Sequence, residues 1–245
     1  VAAGSAHTVA LSEAGHVFTW GKGDFGQLGQ GDRENQRAPR QVEAGRFAPP
    51  GGPGGQGERV VFVAAGGGHT VAVTAGGRLY TWGYGRKGQL GHGDTGERLV
   101  PTAVVAGAFG APEGGRVVMA ACGDAHTLVV TQDGGLWACG QGRSGKLGLN
   151  DYEDRHVFER LGGTTGAAFG GARVVAAAAG DAHSAAVTED GALWTWGWDY
   201  YGQLGHDDDL GKLGHNDEYF CVVPTRVAAA SLKDTRIGSC RPLPT

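Results

Sequence analysis

Cysteine is scarce in this chain and badly spaced for a metal or a disulfide framework. Cys122, Cys139, Cys221 and Cys240 form no Cys-x-x-Cys pair and have no histidine at zinc-finger spacing, so free thiols in a reducing compartment are expected. Long apolar runs are also missing. Val60 to Ala65 and Val174 to Ala179 fall far short of the roughly 20 residues that cross a bilayer, and no membrane segment is expected. No run of Lys or Arg exceeds two residues and the formal net charge is −4, which removes the electrostatic footprint of a phosphate-backbone binder. The chain opens on Val1-Ala2-Ala3-Gly4 with neither an initiator Met nor a basic-then-apolar signal, and reads as a fragment or a processed product.

Glycine, by contrast, is abundant. The chain holds 48 glycines outside any collagen register, alongside 40% apolar residues, a combination that suits tight turns between short buried strands. The stretch Trp20-Gly21-Lys22-Gly23-Asp24-Phe25-Gly26-Gln27-Leu28-Gly29 returns as WGYGRKGQLG at 82–91, CGQGRSGKLG at 139–148 and WGWDYYGQLG at 196–205. His7, His69, His126 and His183 sit in the same frame, each three residues after a glycine and one before Thr8, Thr70, Thr127 or Ser184. Eight residues after each histidine stands Gly15, Gly77, Gly134 or Gly191, and thirteen after it Trp20, Trp82, Cys139 or Trp196. Four copies of one unit follow, at about 1–57, 58–114, 115–171 and 172–227, with a degenerate tail at 228–245.

Within a unit the pattern is that of strands. VVFVAA at 60–65 is a buried-strand run, His69 to Thr74 alternates with period two, and Arg78 to Trp82 follows a short glycine turn. We expect a two-residue hairpin at that turn and a fourth, edge strand near Pro39, Pro101 and Pro224, with Phe158 to Leu161 in the third unit. Each unit thus supplies four short strands, the number in a propeller blade. An isolated sheet of this kind cannot bury both faces, so the units should stack into one domain spanning 1–245. The connectors at 47–57, 107–115 and 162–171 are rich in Gly, Ala and Pro and are expected to be surface loops with little to pack.

The frame G-x-x-H-[TS], a second Gly, then W-G-x-G-x-x-G-Q-L-G closely resembles the repeat of the regulator of chromosome condensation family over residues 1–227. The resemblance implies an all-β propeller of four-stranded blades, with these four units forming part of a seven-bladed ring. It also implies a range of roles, because fold membership fixes shape rather than activity. Family members include an exchange factor for the nuclear GTPase Ran, a UV-B photoreceptor and propeller modules attached to ubiquitin ligases. The photoreceptor's tryptophans stand before the repeated histidine, where this chain has Ser5-Ala6, Gly67-Gly68, Asp124-Ala125 and Asp181-Ala182, so light sensing is disfavoured. No strand-rich insertion suggests the β-wedge of a Ran exchange factor.

The repeated histidines read as buried hydrogen-bonding residues rather than bases or metal ligands. Gly21-x-Gly23-x-x-Gly26 leads into another turn instead of a helix, which argues against a dinucleotide loop. Phe18, Tyr80, Trp137 and Trp194 should share a sheet face with the Trp20 set and fill the space between blades. In the fourth unit Asp207-Asp208-Asp209 and a second turn from Gly211 to His215 suggest a lengthened acidic loop without the ligand spacing of a calcium site. No catalytic residue, metal or cofactor is assigned, and the chain is expected not to be an enzyme.

The residues between the glycines change from copy to copy. Lys22, Asp24, Phe25, Tyr84, Arg86, Lys87, Arg143, Trp198, Tyr200 and Tyr201 are therefore expected to form a rim that binds another protein. The expected role is a non-catalytic interaction platform in the cytoplasm or nucleus. Nucleotide exchange on a Ran-like small GTPase is the alternative.

Overall fold

The computed structural model describes residues 1–48, 57–105, 108–110, 115–163, 167–206 and 219–228. The acidic loop, its second turn, the tail after Ala228 and Cys240 lie outside them. Sixteen strands form four antiparallel sheets, each a meander drawn from one repeat. The first blade holds β1 (Ala2–Ala3), β2 (His7–Leu11), β3 (Val17–Gly21) and β4 (Gln36–Gln41). The second holds β5 (Val60–Ala65), β6 (His69–Thr74), β7 (Leu79–Gly83) and β8 (Arg98–Ala103). The third has β9 (Val117–Cys122), β10 (His126–Thr131), β11 (Leu136–Gly140) and β12 (Arg155–Arg160). The fourth has β13 (Val174–Ala179), β14 (His183–Thr188), β15 (Leu193–Trp198) and β16 (Phe220–Arg226). Among the described residues every strand belongs to one of these sheets, and none forms a wedge.

The cores lie between blades rather than within them. Val71, Val73 and Leu79 of the second blade pack with Val117, Ala120, Val129 and Cys139 of the third, and equivalent clusters fill the junctions on either side. A strand with apolar residues on both faces is stable only when both are covered, and β6 and β10 are buried along their whole length. Burying each Val or Leu side chain stabilises the stack by about 1.5–3 kcal/mol. Pro39, Pro101 and Pro224 all fall in outermost strands, where the missing N–H costs no ladder bond.

Two local expectations fail. The hairpin between second and third strands has a three-residue loop, not two: Thr74 N–H donates to Arg78 O at 3.0 Å and Gly77 N–H to Thr74 O at 2.8 Å. The same pair of bonds recurs at Ser12, Thr131 and Thr188. The glycine eight residues after the histidine takes the left-handed position that this loop requires, with φ of 78° at Gly77. The connectors also pack more than their composition suggests. Phe47, Phe109 and Phe169 are buried, each meeting an aromatic of the following blade edge to face, as in Phe47–Tyr80 at 5.4 Å, Phe109–Trp137 at 5.7 Å and Phe169–Trp194 at 5.5 Å. One ring per low-complexity stretch escapes any periodicity test, yet it closes each junction.

Candidate interaction face

The repeated histidine ties one blade to the next. His7 Nε2 lies 2.9 Å from Thr70 Oγ1, His69 Nε2 2.9 Å from Thr127 Oγ1, and His126 Nε2 2.9 Å from Ser184 Oγ. Each hydroxyl in turn donates to a main-chain carbonyl of the earlier blade: Gln27 O at 2.7 Å, Gln89 O at 2.7 Å and Lys146 O at 2.8 Å. Since the hydroxyl proton is spent on the carbonyl, the imidazole must donate through Nε2–H, and Nδ1 is left buried without a partner in all three. Burial accordingly lowers the histidine pKa values, to about 4 for His7 and about 3 for His69. These rings are neutral hydrogen-bonding struts, and their chemistry is structural.

The same carbonyls take a second donor from the later blade. Trp82 Nε1 donates to Gln27 O and Trp196 Nε1 to Lys146 O, both at 2.9 Å, while Cys139 Sγ sits 3.4 Å from Gln89 O. The glycine before each histidine is fixed by space. A Cβ on Gly123 would stand 2.1 Å from His126 Cε1 and 2.4 Å from Gly180 O of the next blade.

Antiparallel meander topology places the loop before each histidine and the varied rim turn at the same end of every blade. There the inner loops line a concavity of about 610 Å³, built by Ser5, Gly67, Asp124 and Asp181 with the neighbouring glycines and Cys122. The rim residues lie at the same end of the blades and outside the lining of that concavity. Lys22, Asp24, Arg86, Arg143, Tyr200 and Tyr201 are exposed, while Phe25, Tyr84, Lys87 and Trp198 are half-buried.

The structure joins these residues in two groups. Phe25 and Tyr84, from adjacent blades, meet at 4.9 Å over Gly68, with Lys22 Nζ 5.6 Å from the Phe25 ring and 3.2 Å from Asp24. Arg86 pairs with Glu97 at 3.5 Å and Lys87 with Asp154 at 3.6 Å. Trp198, Tyr200 and Tyr201 cluster separately on the fourth blade, with Tyr200–Tyr201 at 4.9 Å. Arg143 has no ion pair with another described residue.

Three participants escape the sequence reading. Asp124 and Asp181 hold equivalent positions one residue after the repeated glycine and point the concavity's chemistry toward carboxylate; variation there among Ser5, Gly67, Asp124 and Asp181 is the signal that could have found them. Lys146 is the third. Gln27, Gln89 and Gln203 each accept a turn N–H through Oε1, from Phe25, Lys87 and Tyr201. A lysine cannot accept, and Ser144, in the corresponding place, adopts a left-handed φ of 69°. Lys146 Nζ instead donates to Gln141 Oε1 at 2.8 Å and Asp181 O at 3.3 Å. Burial lowers its pKa, with the charges of Asp181, Asp124 and Asp154 opposing that shift.

Four-stranded blades of one repeated frame, tied to one another by buried histidines, define a β-propeller repeat protein. The RCC1-like domain pattern matches residues 1–240, and the chain belongs to that family, as the regulator of chromosome condensation resemblance implies. The ultraviolet-B receptor UVR8 of Arabidopsis thaliana is 37% identical over 241 residues, covering 98% of this chain and 48% of the receptor. The E3 ubiquitin-protein ligase HERC2 of Homo sapiens is 41% identical over 211 residues, covering 85% of this chain and 4% of the ligase. Yeast RCC1 (Prp20), solved bound to Kap60, superposes with a TM-score of 0.72 at 25% identity, covering 95% of this chain and 49% of that one. The chain thus spans about half the length of the receptor and of the yeast propeller.

Proposed function

We propose that this chain is a non-catalytic protein-interaction platform, acting as one propeller domain through the face that carries the rim and the concavity. One observation carries the reading: the interior of every blade repeats, while the side chains between the turn glycines at this end do not. A surface whose frame is constant and whose contact residues vary is the arrangement by which repeat proteins present a binding face. The mixture of Phe, Tyr, Trp and Arg on it is that of protein interfaces. The proposed setting is the cytoplasm or nucleus.

The test is affinity capture with the intact chain and with a variant in which Arg86, Arg143, Tyr200 and Tyr201 are replaced by Ser. Proteins held by the first should be lost from the second at unchanged melting temperature. Identical capture by both would remove the reading.

The likeness to Prp20, whose solved structures are described with binding to Gsp1p and histones, favours a second reading: nucleotide exchange on a Ran-like GTPase. The concavity's Asp124 and Asp181 would then lie toward the nucleotide. Release of a fluorescent GDP analogue from such a GTPase should accelerate on adding the chain, and an unchanged rate would dismiss it.

A further inference from the structure

The fourth blade departs from the others where the rim varies. The positions of Lys22, Asp24 and Phe25 in the first blade, and of Tyr84, Arg86 and Lys87 in the second, are Trp198, Tyr200 and Tyr201 in the fourth. Trp198 stacks on Tyr200 at 5.9 Å with an interplanar angle of 18°, Tyr201 stands edge-on to both, and Tyr219 meets Tyr200 at 5.1 Å. Phe220 is paired with Trp198 across β15 and β16 and reaches Tyr152 of the third blade at 6.2 Å. These rings face water: Tyr200 is 55% exposed, Tyr201 78%, Tyr219 46% and Phe220 39%. Aromatic rings gathered in the open mark an interaction site.

The rest of the molecule shows what such rings take. In the first blade Lys22 lies over Phe25, and in the third the Arg160 guanidinium lies 6.0 Å from the Trp137 ring. In the fourth blade the lysine position is itself an aromatic, Trp198. Among the described residues no cation lies over Trp198, Tyr200, Tyr201 or Tyr219. Carboxylates border the patch. Asp199, between the rings in sequence, is held by Leu204 N–H at 2.8 Å, and Asp151, Glu153 and Asp154 flank Tyr152. Arg155 and Lys87 neutralise Asp151 and Asp154, whereas Glu153 is exposed and makes no ion pair among the described residues. Arg143, also without an ion pair among the described residues, stands on the short turn Arg143–Gly145 that packs against β15 and β16, so the charge that favours a cation is local to Asp199 and Glu153.

We propose, resting on the platform reading, that this aromatic surface docks a basic segment of a protein partner, with arginine side chains stacking on Trp198, Tyr200 and Tyr201. A guanidinium is planar and weakly hydrated, so it stacks on exposed rings better than an ammonium does.

The experiment titrates the intact chain with fluorescein-labelled decapeptides of repeating Gly-Arg, Gly-Lys, Gly-Glu and Pro, reading anisotropy. The Gly-Arg peptide should bind most tightly and weaken with added salt. Tyr200→Ser with Tyr201→Ser should weaken it about tenfold, the effect of losing two cation-stacking rings. Tyr200→Phe with Tyr201→Phe should restore it, since ring faces rather than hydroxyls make the contact. Asp24→Ser on the first blade should change nothing. Both tyrosines are exposed, and equal melting temperatures would show that the variants fold. The proposal is overturned if Gly-Arg fails to bind, if the Ser pair binds it equally, or if the Pro or Gly-Glu peptide binds as well as Gly-Arg. Partners captured by the wild type, lost from the four-residue rim variant and retained by the Tyr200/Tyr201 Ser pair would overturn this proposal while leaving the platform reading standing.

Discussion

The junctions inside the stack and the faces at its two ends use the same residues to different effect. Thr70, Ala72, Tyr80 and Trp82 on the second blade are buried against the first, while their counterparts Thr8, Ala10, Phe18 and Trp20 are only half-buried. At the other end, His126, Leu128, Val130 and Leu136 are buried, and His183, Ala185, Val187 and Leu193 are half-buried. An inner face supplies a carbonyl that is filled by a hydroxyl and by an indole or, at Gln89, the Cys139 thiol from its neighbour. The end faces carry the same groups with no further blade beyond them among the described residues. A residue's worth in this fold is therefore set by the neighbouring blade more than by its own sheet.

The largest effect that separates the two should come from acid. Burial holds His7 near 4 and His69 near 3, and His126 is pushed well below its ordinary value, mainly by burial. The unfolded chain binds protons near pH 6.5 that the folded rings refuse, so stability is fully present above that pH and is lost as pH falls toward the folded values. Each of the three should cost about 1.4 kcal/mol per pH unit across that window. Urea unfolding between pH 7 and about 5.5, more than a unit above the ordinary carboxylate values of about 4, isolates the effect. A flat stability over that range would show that the junction histidines do not act as neutral struts.

Gly123→Ala should come next. Its Cβ meets both the His126 ring and the Gly180 carbonyl of the next blade, and a cost of about 3 kcal/mol is expected. For Gly180→Ala the three atoms nearest the new Cβ all belong to the His183 ring, which can yield at an end face, and about 1 kcal/mol is expected. Thermal melts of the two would sharpen the comparison, and equal losses would break it. Thr127→Val leaves both the His69 Nε2–H and the Gln89 carbonyl short of a partner, at about 2 kcal/mol, whereas Thr8→Val at the end face should cost under about 0.5 kcal/mol. The smallest change expected is a gain. Lys146→Gln restores the acceptor for the turn N–H and removes a buried amine, adding about 0.5–1 kcal/mol as a higher urea midpoint.

The blade interior was legible because its constraints are local and repeat. His at one fixed offset and glycine at another are visible wherever four copies align, and Gly77 and Gly123 could be picked out without knowing what crowds them. The residues between the glycines stood out by their variation, and Phe25 and Tyr84 meet across a junction. Two features of the geometry were not legible. The hairpin length depends on which carbonyl Gly77 N–H finds, and Phe47, Phe109 and Phe169 look like isolated residues in low-complexity connectors until the following blade covers them.

The sequence by itself determined the repeat, the four strands in each copy and the places where glycine is required, since these follow from periodicity and from backbone conformations that few residues can adopt. Only the tertiary structure decided which hydroxyl each histidine bonds, which carbonyl receives two donors, and that Asp124 and Asp181 line one concavity. Those choices are made between blades some 60 residues apart, by donors and acceptors that must be satisfied once water is excluded, and a one-dimensional pattern holds no record of which partner is nearest.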